Sequence, residues 1–225
     1  MVLTSHGELG VTGYNTGIGL EEFTIAYYAF LDAGQPITLA SSQGGPPPID
    51  PRGRTATSSS QSVERFRHDQ DARMLLADTL ALKQVDPADF DGAFYPGGYG
   101  TMWDLAEDTY SAALIAEFGA TGKPIALVGH GAAALRRVRG PSDRAFVDGR
   151  NLSAFSNSEE RLTGLIGNIP FSLQDELILL GARYSKGPDF SSYVVTDGVL
   201  ITGQNPRSSA ATARAFMCAL RRDSI

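Results

Sequence analysis

The sequence predicts an α/β fold, a mainly parallel sheet with helices packed on both of its faces. Short apolar runs of buried-strand type, Ile125-Ala126-Leu127-Val128 the clearest, alternate along the chain with segments of helical period. That same run enters a Gly129-His130-Gly131 turn and then Ala132-Ala133-Ala134-Leu135. Strand, sharp turn and helix start make the arrangement of a nucleophile elbow, set over the carboxyl edge of a sheet. Tyr193–Val195 and Val199–Thr202 flank Asp197-Gly198, which predicts one small β-hairpin. A length of 225 residues, 42% of them hydrophobic, and no clear linker fit a single domain over 1–225.

The elements follow in order. Val2–Ser5 reads as a strand and His6–Gly19, rich in Gly, Thr and Asn, as a loop. Leu20, Phe23, Tyr27, Phe30 and Leu31 recur at helical spacing until Asp32-Ala33-Gly34. Ile37–Ala40 is a short strand. Ser41–Ser60, with Gly44-Gly45-Pro46-Pro47-Pro48 and a Ser/Thr cluster, is a long surface loop suited to a pocket wall or lid. A helix over 69–82 turns Met74, Leu75 and Leu82 inward. Gly92–Tyr95 is a strand broken by Pro96-Gly97-Gly98, and Ser111–Phe118 is a helix. Arg144–Val147 and Asn151–Phe155 suggest a second hairpin about Asp148-Gly149. Helical patterns near Glu159–Ile166, Ser172–Leu180 and Ser208–Leu220 complete the chain.

Composition narrows the function. A net charge of −6 argues against nucleic acid as a partner. No apolar run approaches the roughly 18 residues of a membrane span, and no signal peptide opens the chain, so a cytoplasmic protein with no membrane partner is expected. The single cysteine, Cys218, excludes an internal disulfide and a cysteine-based metal site and reads as a small packing residue. Asp86, Asp89 and Asp91 surround Pro87 without His or Cys, which is a turn rather than a metal site.

Several residues could carry chemistry. Gly129, at the elbow, has no side chain, so the geometry of a covalent catalyst comes without its nucleophile. His130 stands between two glycines in the turn. Gly97, Gly98 and Gly131 would let backbone N–H groups approach a ligand oxygen, although plain turn chemistry requires glycines equally. Tyr99 offers a phenol for a carbonyl or a flat ring. Trp103 and Asp104 suit pocket lining, core or capping alike. Glu22, in a first helical turn, is either a dipole-favoured solvated carboxylate or a pocket acid, and Glu160 is either a site acid or a helix amino-terminal carboxylate. His6 and His68 carry no supporting pattern.

Thr16-Gly17 with Glu21-Glu22, Tyr95-Pro96-Gly97-Gly98 with Gly100, Val128 with His130-Gly131, Phe155-Ser156-Asn157-Ser158-Glu159-Glu160, and Asp197-Gly198 with Thr202-Gly203-Gln204-Asn205-Pro206 stand in one order. In these segments the chain resembles the ThiJ/PfpI superfamily, of class I glutamine amidotransferase-like fold, and most closely its glyoxalase III and heat-shock-chaperone branch. The resemblance spans nearly the whole chain and implies a flavodoxin-like three-layer sandwich and a homodimer. In that branch a cysteine occupies the elbow, a histidine follows it, a downstream acid orients the histidine, and a glutamate from the first helix meets the thiol. Those positions are Gly129, His130, Glu160 and Glu22 here, so three match and the nucleophile does not. The branch's Gly-His-Gly motif is Gly98-Tyr99-Gly100, the proline after its elbow is Ala132, and its aromatic ahead of the helix glutamate is Gly19. Several coordinated departures favour natural divergence.

Without a thiol, a thiohemiacetal route is closed. The expectation is a cofactor-independent, metal-free acid/base enzyme of lyase, hydratase, isomerase or hydrolase type that uses Glu22 and His130, with Glu160 orienting the imidazole. Gly19, Gly129 and Ala132 reduce side-chain volume, which points to a bulky aromatic or polycyclic carbonyl compound as substrate. The alternatives are a non-catalytic chaperone-like or ligand-binding relative and an inactivated cysteine-to-glycine glyoxalase III.

Overall fold

The computed structural model describes residues 1–54 and 60–222. Strands β1 (Val2–Leu3), β2 (Ala40–Ser41) and β3 (Leu80–Ala81) pair in parallel in that order. Beside β1 lies β4 (Ala93–Tyr95), followed by β5 (Ile125–Val128). Two parallel strands, β6 (Asn151–Leu152) and β7 (Arg183–Tyr184), form a separate pair. Strand β8 (Val194–Asp197) turns at Gly198, φ 58°, into β9 (Leu200–Gly203), which runs parallel to β5. The predicted hairpin is therefore present, with Asp197 opposite Leu200.

Helices cover both faces. On one side lie α1 (Leu20–Asp32) and, at the far end of the chain, α7 (Ser209–Arg222); on the other lies α4 (Thr109–Thr121). Strand β5 explains the layering, because its side chains alternate. Ala126 and Val128 pack with Phe30, Ala213 and Phe216, whereas Ile125 and Leu127 pack with Leu114, Ile115 and Phe118. All four β5 residues are buried, as a strand covered on both faces requires. Helix α4 starts where the Asp108 carboxylate accepts from Ser111 N at 2.8 Å and stops at Gly122, φ 81°. Among the described residues, no helix is long and apolar enough to cross a membrane.

The structure corrects several sequence expectations. The helix expected over 69–82 is α2 (Gln61–His68), then α3 (Gln70–Ala77), then β3. Asp69 ends the first and caps the second through Ala72 N, which shifts the inward face to Ala72 and Leu76 and leaves Met74 55% exposed. The second hairpin does not form. Gly149 N donates to Gly181 O, Asn151 is held by Asp197, and Leu152 pairs in parallel with Tyr184. Ile37–Leu39 precedes its strand rather than forming it. Cys218 is exposed on α7 and packs nothing into the core. The loop expected over 41–60 holds a short 3-10 turn at Pro51–Arg54, and its Ser/Thr cluster lies outside the described residues.

Candidate active site

The carboxyl end of β5 delivers the chain into tight 3-10 turns over Gly129–Leu135 instead of the expected α-helix, and every residue of them is buried. Gly129 takes φ 54°, the left-handed region that glycine enters without a Cβ penalty. A Cβ built there would lie 3.4 Å from Glu22 Oε1, 3.7 Å from Asn205 Cα and 4.0 Å from Gln204 O, all ordinary contacts. The elbow thus has strand, turn and clearance for a side chain it does not carry.

Glu22 sits in the first turn of α1, buried, while Glu21 beside it is exposed. Its carboxyl group lies where Cβ atoms of Gly19 and Gly97 would be: either would collide with it. Gly19 therefore opens no volume for a substrate, because Glu22 fills that volume itself. Ala132 likewise belongs to the apolar core on the α4 side. Burial, reinforced by the nearby charges of Glu21 and Asp50, pushes the Glu22 carboxyl up to about 8. A carboxyl so placed can exchange a proton near neutral pH.

His130 follows Gly129 in the same turn and is buried. Its Nε2 is 2.8 Å from Glu160 Oε2, and its ring lies between Tyr99 and Phe155, with centroids 4.0 and 4.3 Å away. Glu160 is carried by α5 (Asn157–Thr163), whose start is fixed by a capping box between Ser156 and Glu159. Burial raises the Glu160 carboxyl, but hydrogen bonds and charge from His130, with Tyr99 and Thr163 donating as well, outweigh it and leave the group below the ordinary carboxylate range. The Tyr99 hydroxyl donates to Glu160 Oε1 at 2.6 Å, and burial and that carboxylate push its own pKa up. Tyr99 thus holds the acid in place. With Nε2 committed to Glu160, Nδ1 is the nitrogen left to face a ligand.

The remaining candidates separate. Gly98, φ 120°, and Gly131 are glycines for packing: a Cβ would strike Gly17 O in one case and come within 2.7 Å of Tyr95 O in the other. Trp103 stacks on His6 at 5.1 Å, and Asp104 accepts from Thr4 and from Ser5 N, pinning β1 to the segment after β4. Sequence reasoning missed a further cluster. Thr16 donates to Asp50 at 2.9 Å, Asp50 pairs with Arg52, and the Arg52 guanidinium lies 4.6 Å over the Tyr99 ring. Thr16 stood in a quoted motif, but nothing in the proline-rich loop marked Arg52.

Residues 15–219 match the DJ-1/PfpI family. The chain belongs to that family. It is 30% identical over 224 residues to the glutathione-independent glyoxalase hsp3101 of Schizosaccharomyces pombe, covering 93% of this chain and 90% of that one. Among solved structures, the Rapid Encystment Protein 24 kDa of Francisella tularensis superposes with a TM-score of 0.93 at 33% identity, covering 98% of this chain and 97% of the other. Glyoxalase III of Candida albicans shares the fold, with a TM-score of 0.89 at 24% identity over 97% of this chain and 95% of its own.

Proposed function

We propose that the protein is a cofactor-free acid/base enzyme acting on a carbonyl-containing small molecule at the elbow. The observation that carries this reading is the buried Glu22 carboxyl, 3.4 Å from the position a side chain at residue 129 would begin to occupy. A substrate carbonyl seated over Gly129 meets Glu22 on one side and the imidazole held by Glu160 on the other. Glu22 takes the proton, and His130 in its doubly protonated form, with its Nε2–H held by Glu160, supplies the Nδ1 proton to the developing oxyanion. The names of the relatives, glyoxalases that need no glutathione, support a carbonyl substrate and chemistry without an added thiol. Phe190, 37% exposed and 6.2 Å from the Phe155 ring, offers a face to an aromatic or otherwise bulky part of that substrate. A chaperone-like role would be served by an exposed apolar surface at the elbow, and Gly129–Leu135 are buried.

The test is turnover of a panel of aryl ketones and aryl esters, with solvent-deuterium exchange followed by NMR. Glu22→Gln keeps shape but cannot take up a proton, and turnover is expected to fall by about 10²–10⁴-fold. Activity within about threefold of wild type would remove Glu22 from the mechanism. For wild type, kcat/KM is expected to rise about tenfold per pH unit on the acid side towards about 8, the pH at which free Glu22 ionises.

A further inference from the structure

We propose that Gly129 seats a water molecule that Glu22 activates as the nucleophile, so that the enzyme adds water to a carbonyl carbon where a thiol-bearing elbow would add sulfur. The inference rests on the acid/base reading above and narrows it from four reaction types to hydration and hydrolysis.

Chain neighbours aside, two of the three atoms nearest a residue 129 Cβ are oxygens, Glu22 Oε1 at 3.4 Å and Gln204 O at 4.0 Å. A water oxygen seated there in place of a side chain would have both as acceptors. Its two hydrogens then point at a carboxylate and a carbonyl, and its lone pairs face the other way. An apolar recess would hold no water, whereas one with two convergent acceptors and a substrate to complete the set meets the usual requirement. At a φ of 54° glycine carries no Cβ penalty, and it leaves the space free of carbon. Glu22, with its pKa raised towards 8, is basic enough to take a proton from that water once ionised.

The step balances without a cofactor. The water oxygen bonds to the carbonyl carbon, its proton passes to the Glu22 carboxylate, and the π electrons move to the carbonyl oxygen, which accepts a proton from His130. For a ketone or aldehyde the product is the hydrate. For an ester or lactone the tetrahedral adduct collapses: the former carbonyl oxygen returns its proton to His130 as the C=O bond re-forms, the bond to the alkoxy oxygen breaks, that oxygen takes the proton held by Glu22, and the acid is released. Esters and lactones of aromatic or bulky alcohols and acids are therefore the substrate class.

The experiment pairs crystallography with hydrolysis of p-nitrophenyl acetate. In the wild-type crystal structure, an ordered water is expected within about 3.2 Å of Glu22 Oε1. Gly129→Ala, whose methyl group takes the space, should lack it and lose at least tenfold in hydrolysis. Glu22→Gln, which avoids the backbone strain of the first variant, should keep the water and lose hydrolysis to a similar degree. No ordered water at this place, or hydrolysis unchanged in both variants, would overturn the inference. The two readings fail separately: wild type that exchanges ketone α-protons with solvent deuterium yet hydrolyses no ester leaves the acid/base reading standing and this inference refuted. If Glu22→Gln alters neither reaction, both fall.

Discussion

Glu22 is where one residue most affects the whole molecule. Its pKa in the folded protein is raised to about 8 from an ordinary 4.5, chiefly by burial. Below pH 4.5 the group is neutral in both folded and unfolded chains and contributes nothing. Between about 4.5 and 8 the unfolded chain ionises while the folded one holds its proton, so stability falls by up to about 1.4 kcal/mol per pH unit. Above 8 the loss is complete and constant. Glu22→Gln has no such proton to lose. In urea denaturation the variant should match wild type near pH 4 and be the more stable protein at pH 9. Parallel stability curves across that range would show that the carboxyl is solvated. The sequence marked Glu22 over Glu21 only through resemblance. The physical reason for the choice, a carboxyl fitted between Gly19 and Gly97, joins Glu22 to a residue 75 positions further on, and no local pattern reports it. Cys218 went wrong for a related reason: helical spacing tells which residues share a face but not which face the rest of the chain covers.

Between residue and fold, α5 does the positioning. Ser156 and Glu159 close its first turn on each other, and the next residue, Glu160, is thereby aimed at His130. Glu159 does more than cap. Its carboxylate accepts from Ser156 N and Oγ, from Phe190 N at 2.8 Å and from Asn205 Nδ2 at 2.7 Å. It ties the helix to the chain beyond β9 and holds Phe190 at φ 53°, uncommon for a bulky residue. Ser156→Ala is expected to lower stability by about 1 kcal/mol, the usual cost of a lost cap. Glu159→Ala leaves several buried donors unpaired and should lower it by more than about 3 kcal/mol. Urea midpoints rank the two, and equal losses would show that Glu159 is only a cap. Elements with local signatures were legible at this scale: the Asp197-Gly198 hairpin and the helix over Ser111–Phe118, which lies within α4. The failures were contests between local and distant partners. Asp148-Gly149 is a hairpin signal, but its backbone bonds to Gly181 and its following strand pairs with β7.

At the scale of the molecule, the parallel sheet gathers Glu22, Gly129, His130 and Glu160 from three separate segments to one edge, as open α/β sheets do. The alternation of strands and helices made that edge legible in the sequence. What it could not show was whether the function resides in the scaffold or in the one side chain missing from it. If the chemistry depends on a thiol at the elbow, the protein should not turn over methylglyoxal above the buffer background, and Gly129→Cys should begin to. If water has taken the place of that thiol, Gly129→Cys should lose the native reaction instead. The variant is geometrically reasonable: its Cβ meets nothing closer than 3.4 Å, and a non-glycine residue at φ 54° costs about 1–3 kcal/mol of strain, which a folded domain of this size tolerates. The introduced thiol would stand beside Glu22, in reach of a carboxyl able to hydrogen-bond it. We expect iodoacetamide to label position 129 faster than the exposed Cys218, by mass spectrometry of peptides from both proteins. We expect ester hydrolysis to fall at least tenfold in the same preparation, because sulfur occupies the place of the water. An unreactive thiol at 129 would mean that the turn does not present its side chain over the sheet edge. Hydrolysis that continued undiminished beside a labelled thiol would mean that glycine at the elbow was never the adaptation on which the activity depends.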